Sequence, residues 1–577
     1  MRILLVALNA KYVHTNLAIR YLRESVKGEF PEVEIREFTI NEPIERIEAE
    51  IFEAKADVIG FSCYIWNLKE TLAVIRQLRP TSPRTRILVG GPEVSFEADC
   101  FLRENTEIDA VVLGEGEVTL LELLRAWELG ANLAEVSGLA WRNPQNQEIM
   151  INQHRQQLAM TKLPNPYGGK EDFQGRLAYV ETIRGCPFNC QYCLSSTFQG
   201  VRYLPPERFR EIIRRALSCG ARTIKLVDRT FNVNKEHSFR ILDIAREEAA
   251  HYPTEAGVRV HCEMAGELLD EDWLDYLRDY PKDLVQFEIG VQSTNPETLS
   301  IICRPQHFDR WAKYIREIQE MNKAHLHLDL IAGLPKEGWS SFRMSFNEVY
   351  AVQPDMLQLG FLKVLKGSGL RERSEQYGLI YAPDPPYSIL QTADLSHEEI
   401  LRLHRLEDIL DRYYNSGRFG RTLDWVIQQY PTPFDFYHEF AEYWRNQGWF
   451  KQNWSAKALF EKLWHFWDSQ KSGSEPSSLT SIQERLRYDY YLWERPSFFP
   501  DFLLPSQETL PPDYSEQRQA LQRDRRWENL IAEYNQMDRR QWQRATAVDY
   551  FCEPQPQWVL FFYKNGKASC YPIDNPI

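Results

Sequence analysis

Short β-rich runs alternate with helical patterns through the first two-thirds of this chain. That alternation restricts the fold to parallel sheets flanked by helices, because parallel neighbours need a crossover between them. Two series are separable. In the first, Arg2–Leu8, Val33–Phe38, Asp57–Cys63, Arg86–Val89 and Asp109–Leu113 are spaced by amphipathic patterns such as NLAIRYLRESVKG and NLKETLAVIRQLR. This predicts a doubly wound, flavodoxin-like domain over 1–137. Residues 138–174 are polar and rich in Asn, Gln and Pro, as suits a linker with a small hairpin. In the second series, AYVETIR, TIKLVD, VRVHCE, LVQFEIG, HLDLIAG and MLQLGFL alternate with helical stretches over 175–375, which predicts a partial (β/α) barrel. Residues 376–577 change character. Ten of the sixteen tryptophans follow Arg421, and WSAKALFEKLWHFW has apolar positions three and four apart. A mostly helical domain with an aromatic core is expected there, with SQKSGSEPSS as a flexible loop.

Composition narrows the function classes. A chain of 577 residues exceeds a single core. A net charge of −14 offers phosphate backbones no attraction, so nucleic acid is not an expected partner. No apolar run approaches the roughly 18 residues of a membrane span. MRILLVALNA is too short for an export signal and reads as a first strand, so a cytoplasmic, reducing location is expected. In that setting ten cysteines are not a disulfide framework.

Three of those cysteines, Cys186, Cys190 and Cys193, fall within eight residues of RGCPFNCQYC, directly after a strand pattern. A structural zinc site asks for four ligands, usually as two pairs, and no second CxxC or HxxxH pair is present. Three thiolates on one loop can instead hold three irons of a 4Fe–4S cluster and leave the fourth iron open. The loop would then sit at the carboxyl mouth of the strands, where barrel sites lie.

CxxxCxxC with Tyr192 before the last cysteine resembles the radical S-adenosylmethionine (SAM) superfamily, over roughly 175–375. FEIGVQSTNPETL and DLIAGLP look like its later-strand motifs. The resemblance implies a cluster on Cys186, Cys190 and Cys193, with SAM chelated by the open iron and cleaved to a 5′-deoxyadenosyl radical. It places SAM contacts at Tyr192, whose neighbouring backbone holds adenine, and at the strand-end residues Asp228, Glu263, Glu288 and Gln292. The order of domains resembles the cobalamin-binding class of these enzymes, many of them methyltransferases, and VGGPEVS and VVLGEGE match that class. Cobalamin contacts are implied at Asn9, Lys11, Gly90, Gly91, Pro92, Glu115 and Gly116, with Ser62 near the nucleotide tail or ring edge. Many such domains carry DxHxxG after the first strand. Here Asn9 and Lys11 stand where that motif would begin and His14 is displaced, so cobalt is expected to lack a protein histidine ligand. RYDYYLWERPSFFP and WVLFFYKNGKASCYPI resemble an accessory domain of uncharacterised function.

The resemblance implies a cobalamin-dependent radical methyltransferase acting at an unactivated carbon of a small-molecule or peptide substrate. An electron donor such as flavodoxin or ferredoxin would reduce its cluster. The alternatives are a cobalamin-binding radical enzyme catalysing a non-methylating oxidation or rearrangement, and a non-enzymatic cobalamin sensor. Methylthiotransferases hold a second cluster on N-terminal cysteines, where this chain has only Cys63 and Cys100.

Overall fold

Both faces of the first sheet are buried, and the first strand shows why. All seven residues of β1 (Ile3–Asn9) are enclosed. Leu4, Val6 and Leu8 enter one apolar core, while Ile3, Leu5 and Ala7 enter the other. This alternation places β1 inside a parallel sheet covered by helices on both sides. The computed structural model describes residues 1–577 apart from 198–199, 253–256, 305, 471–475, 497, 506–509, 525, 554, 565–566 and 574–577. Parallel β2 (Val33–Thr39), β3 (Val58–Ser62), β4 (Arg86–Gly90) and β5 (Ala110–Val112) complete the expected five strands. The helices are α1 (Leu17–Val26), α2 (Ile44–Glu53), α3 (Leu68–Thr81), α4 (Pro92–Ser95), α5 (Ala98–Glu104) and α6 (Gly116–Leu129). The segment expected as a linker extends this sheet. Its hairpin, β6 (Leu139–Arg142) and β7 (Ile149–Ile151), adds antiparallel to β5, and the order is β2-β1-β3-β4-β5-β6-β7.

The second series forms an open, six-stranded sheet, a partial barrel as expected. It begins with β8 (Leu177–Val180), after which β9 (Ile183–Arg184) and β10 (Arg202–Tyr203) pair with each other outside it. β11 (Thr223–Leu226), β12 (Arg259–Met264), β13 (Val285–Gln292), β14 (Ala324–Ala332) and β15 (Met356–Phe361) follow, in the order β15-β14-β13-β12-β11-β8. Both sheets, apart from the first three residues of β15, belong to one compact unit, residues 1–354 with 359–397. Residues 376–397, expected in the C-terminal domain, therefore pack with the first unit.

The second unit comprises 355–358 and 398–577. Its helices bury an aromatic core that includes Tyr413, Phe440, Trp444, Phe460, Phe466 and Trp467. Its last part is not helical: β18 (Thr546–Phe551), β19 (Gln557–Lys564) and β20 (Lys567–Ile573) form an antiparallel sheet, numbered after the hairpin β16 (Ile380–Tyr381) and β17 (Ile389–Gln391) of the first unit. The expected loop SQKSGSEPSS lies in part outside the described residues, at 471–475. On either side of that gap the chain is helical, over Ala456–Gln470 and Pro476–Trp493. No helix of the described residues is long and apolar enough to cross a membrane.

Gly91, expected to approach a corrin, also packs closely against the chain itself. Gly91 has φ +121°, and a Cβ there would lie 2.3 Å from the Cys63 carbonyl oxygen. Gly91→Ala therefore combines a steric clash with a left-handed backbone and should cost about 3 kcal/mol. Gly28→Ala meets no atom within 4 Å and should change stability by less than about 1 kcal/mol. Thermal unfolding of the two variants checks this, and equal melting temperatures would contradict it.

Candidate functional site

The cysteine loop hangs from a buried carboxylate. Asp228, just past β11, accepts hydrogen bonds from the backbone N–H groups of Thr182 (2.6 Å) and Ile183 (2.9 Å) and from the Thr182 hydroxyl. It is fully enclosed, and burial pushes its carboxyl up to about 7. Asp228 was expected to contact SAM. Among the described residues its three hydrogen bonds go to the base of the loop, which it positions. Gly185 has φ +95°, and a Cβ there would lie 2.1 Å from the Gly200 carbonyl, so the loop closes on itself only with glycine.

Around that turn, the Cys186 Sγ lies 3.3 Å from Thr230 Oγ1, and the Cys193 Sγ accepts from Ser195 N at 3.4 Å. Cys190 Sγ has the Arg304 guanidinium at 3.8 Å. Arg304 also reaches the Tyr192 hydroxyl (3.5 Å) and the Gly290 carbonyl (2.7 Å). Burial pushes the Cys190 thiol up, and the Arg304 charge opposes that. None of the three cysteines forms a disulfide. Among the described residues no group of three His, Cys, Asp or Glu converges as a single metal ion requires. The donor set fits a cluster, in which each thiolate takes a different iron. Sequence reasoning missed Arg304, which follows a short helix and carries no motif of its own.

Of the other SAM candidates, Gln292 ends β13 at φ +68°, and its buried Oε1 has no hydrogen-bond partner among the described residues. It shares the Arg304–Gly290 corner with Tyr192. Glu263 is partly accessible, 3.8 Å from Lys225, and burial pushes its carboxyl up. Glu288 lies four residues before the end of β13, held by His261 Nε2 (2.7 Å) and Lys225 Nζ (3.3 Å). Burial alone would raise its carboxyl, but these two neighbours hold it down at about 2.

The cobalamin candidates separate into frame and surface. Asn9 donates to the His14 carbonyl (3.1 Å) and to Glu37 (3.2 Å), and Ser62 accepts from Asn16 (3.1 Å). A Cβ on Gly116 would press on Leu22 and Val112, and one on Gly90 would meet Val112. Glu115 pairs with Arg202 and accepts from Leu158 N (2.9 Å). Burial raises its carboxyl, yet Arg202 and Arg184 hold it below the usual range. Asn9, Ser62, Gly90, Gly91, Glu115 and Gly116 thus also have partners within the chain and help to build the sheet edge. Lys11 and Pro92 remain at its surface, beside Tyr12 (71% exposed) and Trp66 (45% exposed), aromatic faces that suit a flat macrocycle. The displaced His14 already has a partner, since its Nδ1 lies 2.6 Å from the Tyr179 hydroxyl.

A segment near residues 366–387 joins this edge to the cysteine loop. At one end Tyr387 donates to the buried Glu93 of α4, and Lys366 reaches Glu93 (3.9 Å) and Glu97 (3.4 Å). At the other end Leu370 N donates to the Gln191 carbonyl (2.9 Å), and Arg373 donates to the Gln191 side chain (2.5 Å). Arg371 stacks on Tyr387, 4.7 Å from its ring centre.

Three family models match the chain: B12 binding domain at residues 3–124, Radical SAM superfamily at 180–349, and a protein family of unknown function, DUF4080, at 375–561. The chain is 27% identical over 352 residues to the cobalamin-dependent radical SAM methyltransferase TokK of Streptomyces tokunonensis, covering 57% of this chain and 50% of TokK. It is 29% identical over 170 residues to an anaerobic magnesium-protoporphyrin IX monomethyl ester cyclase of Synechocystis, covering 27% of this chain and 33% of the cyclase. The chain spans about half the length of the curated relatives it matches first. Its fold is shared with the cobalamin-dependent SAM radical enzyme OxsB, solved with aqua-cobalamin and SAM bound. The TM-score is 0.56 at 15% identity, covering 94% of this chain and 82% of OxsB.

The Glu93 contact generates a signed prediction. Burial raises the Glu93 carboxyl, and the Tyr387 bond and Lys366 oppose that rise. Tyr387→Phe removes a donor to the ionised form, at about 1–3 kcal/mol. A raised folded-state pKa stabilises below the unfolded value, and that stabilisation is lost as pH climbs through the folded value. The variant's deficit should therefore be larger at alkaline than at mildly acid pH. Denaturant unfolding at both checks this, and a deficit that grows on acidification would contradict it.

Proposed function

This chain is a radical SAM protein with an N-terminal B12-binding domain and a C-terminal DUF4080 domain, and from that premise we propose that it is a methyltransferase acting at an unactivated carbon. The observation that carries the reading is the physical union of the two cofactor loops. The cysteine loop and the exposed edge of the B12-binding sheet lie in one compact unit. They are tied by Arg184 to Glu117 (2.5 Å), His14 to Tyr179 (2.6 Å), and the Glu93–Tyr387 to Gln191 bridge.

In this reading Cys186, Cys190 and Cys193 hold the 4Fe–4S cluster, with Arg304 supplying positive charge beside one sulfur. The backbone at Tyr192, with Gln292 and Glu263, holds SAM. Lys11 and Pro92, with Tyr12 and Trp66, face the corrin. Bound there, cluster and SAM would supply a 5′-deoxyadenosyl radical, and cobalamin a transferable methyl group. An unactivated C–H bond has no proton that a side chain could remove, so the residues' work is binding, orientation and exclusion of water. Cobalt without a protein histidine ligand rests on the displaced place of His14 in the sequence, where Asn9 and Lys11 stand at the start of the motif. A flavodoxin or ferredoxin in the cytoplasm would deliver the electron. The likeness to a ring-closing cyclase supports a second reading, a non-methylating oxidation or rearrangement on the same cofactors.

The test uses the full chain, purified anaerobically with cobalamin, and SAM carrying a deuterated methyl group in cell extract. A metabolite should gain the labelled methyl. 5′-Deoxyadenosine formed alongside an unlabelled product would select the second reading. Changing all three loop cysteines to Ala should remove the iron and abolish 5′-deoxyadenosine formation; full iron loading in that variant would contradict the cluster assignment.

A further inference from the structure

One turn of the chain after β15 is wedged between the two candidate cofactor loops. Gly367 has φ +79°, and a Cβ there would lie 2.2 Å from the ring of Phe96, the residue that ends α4. A Cβ on Gly369 would lie 2.0 Å from the Gln191 side-chain oxygen. Gly367 is thus fixed by backbone and neighbour alike, and a side chain at 369 would displace Gln191. Ser368, fully enclosed between them, donates to the Leu365 carbonyl (2.8 Å). Arg371 braces the turn through the Val364 carbonyl (2.9 Å).

Gln191 stands between Cys190 and Tyr192 and is clamped from several sides. Its N–H donates to the Ile302 carbonyl (2.9 Å), and its own carbonyl accepts from Leu370 N (2.9 Å). Its side-chain oxygen accepts from Arg373 (2.5 Å). At the other end of the turn, Lys366 and Tyr387 hold the buried Glu93. Glu93 directly follows Pro92, an exposed residue of the edge assigned to the corrin. α4 is itself a single turn of four residues, and its N-cap, Gly91, makes no side-chain bond. A helix so short is marginal without contacts from outside it.

Resting on the proposed cofactor sites, we infer that Gln191 is a positioning residue for SAM, set in place from α4 through the turn at Lys366–Gly369, and that SAM and cobalamin each raise the other's affinity through it. A macrocycle lying on Pro92 would order α4. The turn would carry that order to Gln191, and the cysteine loop would then lose less conformational freedom when SAM binds. Such coupling is reciprocal between the two sites, and a typical strength is about tenfold.

The experiment measures SAM affinity by equilibrium dialysis on the full chain, with the cluster oxidised so that SAM is not cleaved, with and without cobalamin. Cobalamin should tighten SAM binding about tenfold, and SAM should tighten cobalamin binding by the same factor. Cobalamin should also slow backbone hydrogen exchange over 366–373 and 186–193. Two variants cut the path at opposite ends: Gln191→Ala, and Lys366→Met combined with Tyr387→Phe. Each should keep the parent's iron content, while its SAM affinity responds to cobalamin by less than about twofold. The double variant leaves the cysteine loop unaltered, so it tests the path independently of cluster assembly. Equal SAM affinity with and without cobalamin in the parent would overturn the inference. So would the parent's response retained in the double variant, which would put the coupling in direct contact between the two ligands. Coupling with no labelled product in cell extract would overturn methyl transfer and leave this inference standing.

Discussion

The Arg184 guanidinium is the contact on which the arrangement of the first unit turns. It opens the cysteine motif, yet its side chain reaches back to Glu117 of the B12-binding domain (2.5 Å) and to Glu181 at the end of β8 (2.7 Å). Burial favours its neutral form, but the Glu181 and Glu117 carboxylates hold it charged. Removing one partner from such a group leaves an uncompensated buried charge, at about 3–5 kcal/mol. One residue thereby makes the placement of the cysteine loop conditional on the neighbouring sheet.

Further ion pairs extend the same logic. Arg20 bridges Glu37 and Glu171 (2.9 Å to each), and Arg23 adds Glu171 at 2.7 Å. Arg176 joins Glu37 (3.1 Å) and the His14 carbonyl (2.8 Å). Leu177 N then donates to the Val13 carbonyl (2.8 Å), so the loop after β1 runs directly into the start of β8. Each pair alone is weak support for stability. Together they fix the angle between two sheets whose carboxyl ends carry the candidate sites, which is the geometry a reaction shared between two cofactors needs.

Periodicity made the strands legible. All eleven expected runs became strands because alternation and apolar runs are local properties that tertiary contacts reinforce. The cysteine loop was legible because thiol spacing is itself the chemistry. What local pattern could not carry was the partner of each polar residue. Asp228 and Glu288 sit at strand positions that look ligand-facing, but whether such a carboxylate meets a ligand, a backbone amide or an arginine is decided by segments far away in sequence. Gly91 reads as a ligand-approach glycine, and only the position of Cys63 shows that a side chain there would also strike the chain itself. Arg304 and Tyr387 had no motif, since their roles come entirely from where their neighbours lie. The terminal sheet was hidden by aromatic spacing that suits either a helix or a buried strand.

The central claim is that one unit holds both cofactor loops together, and magnetic interaction between their metals tests it most directly. The protein, loaded anaerobically with cobalamin and reduced to the cob(II) and 4Fe–4S(+) states, would be measured by electron paramagnetic resonance. The account predicts a cob(II) signal broadened and relaxed faster by the reduced cluster, and a return toward the isolated signal in Arg184→Met. A spectrum equal to the sum of the two isolated centres, unchanged by that substitution, would contradict it.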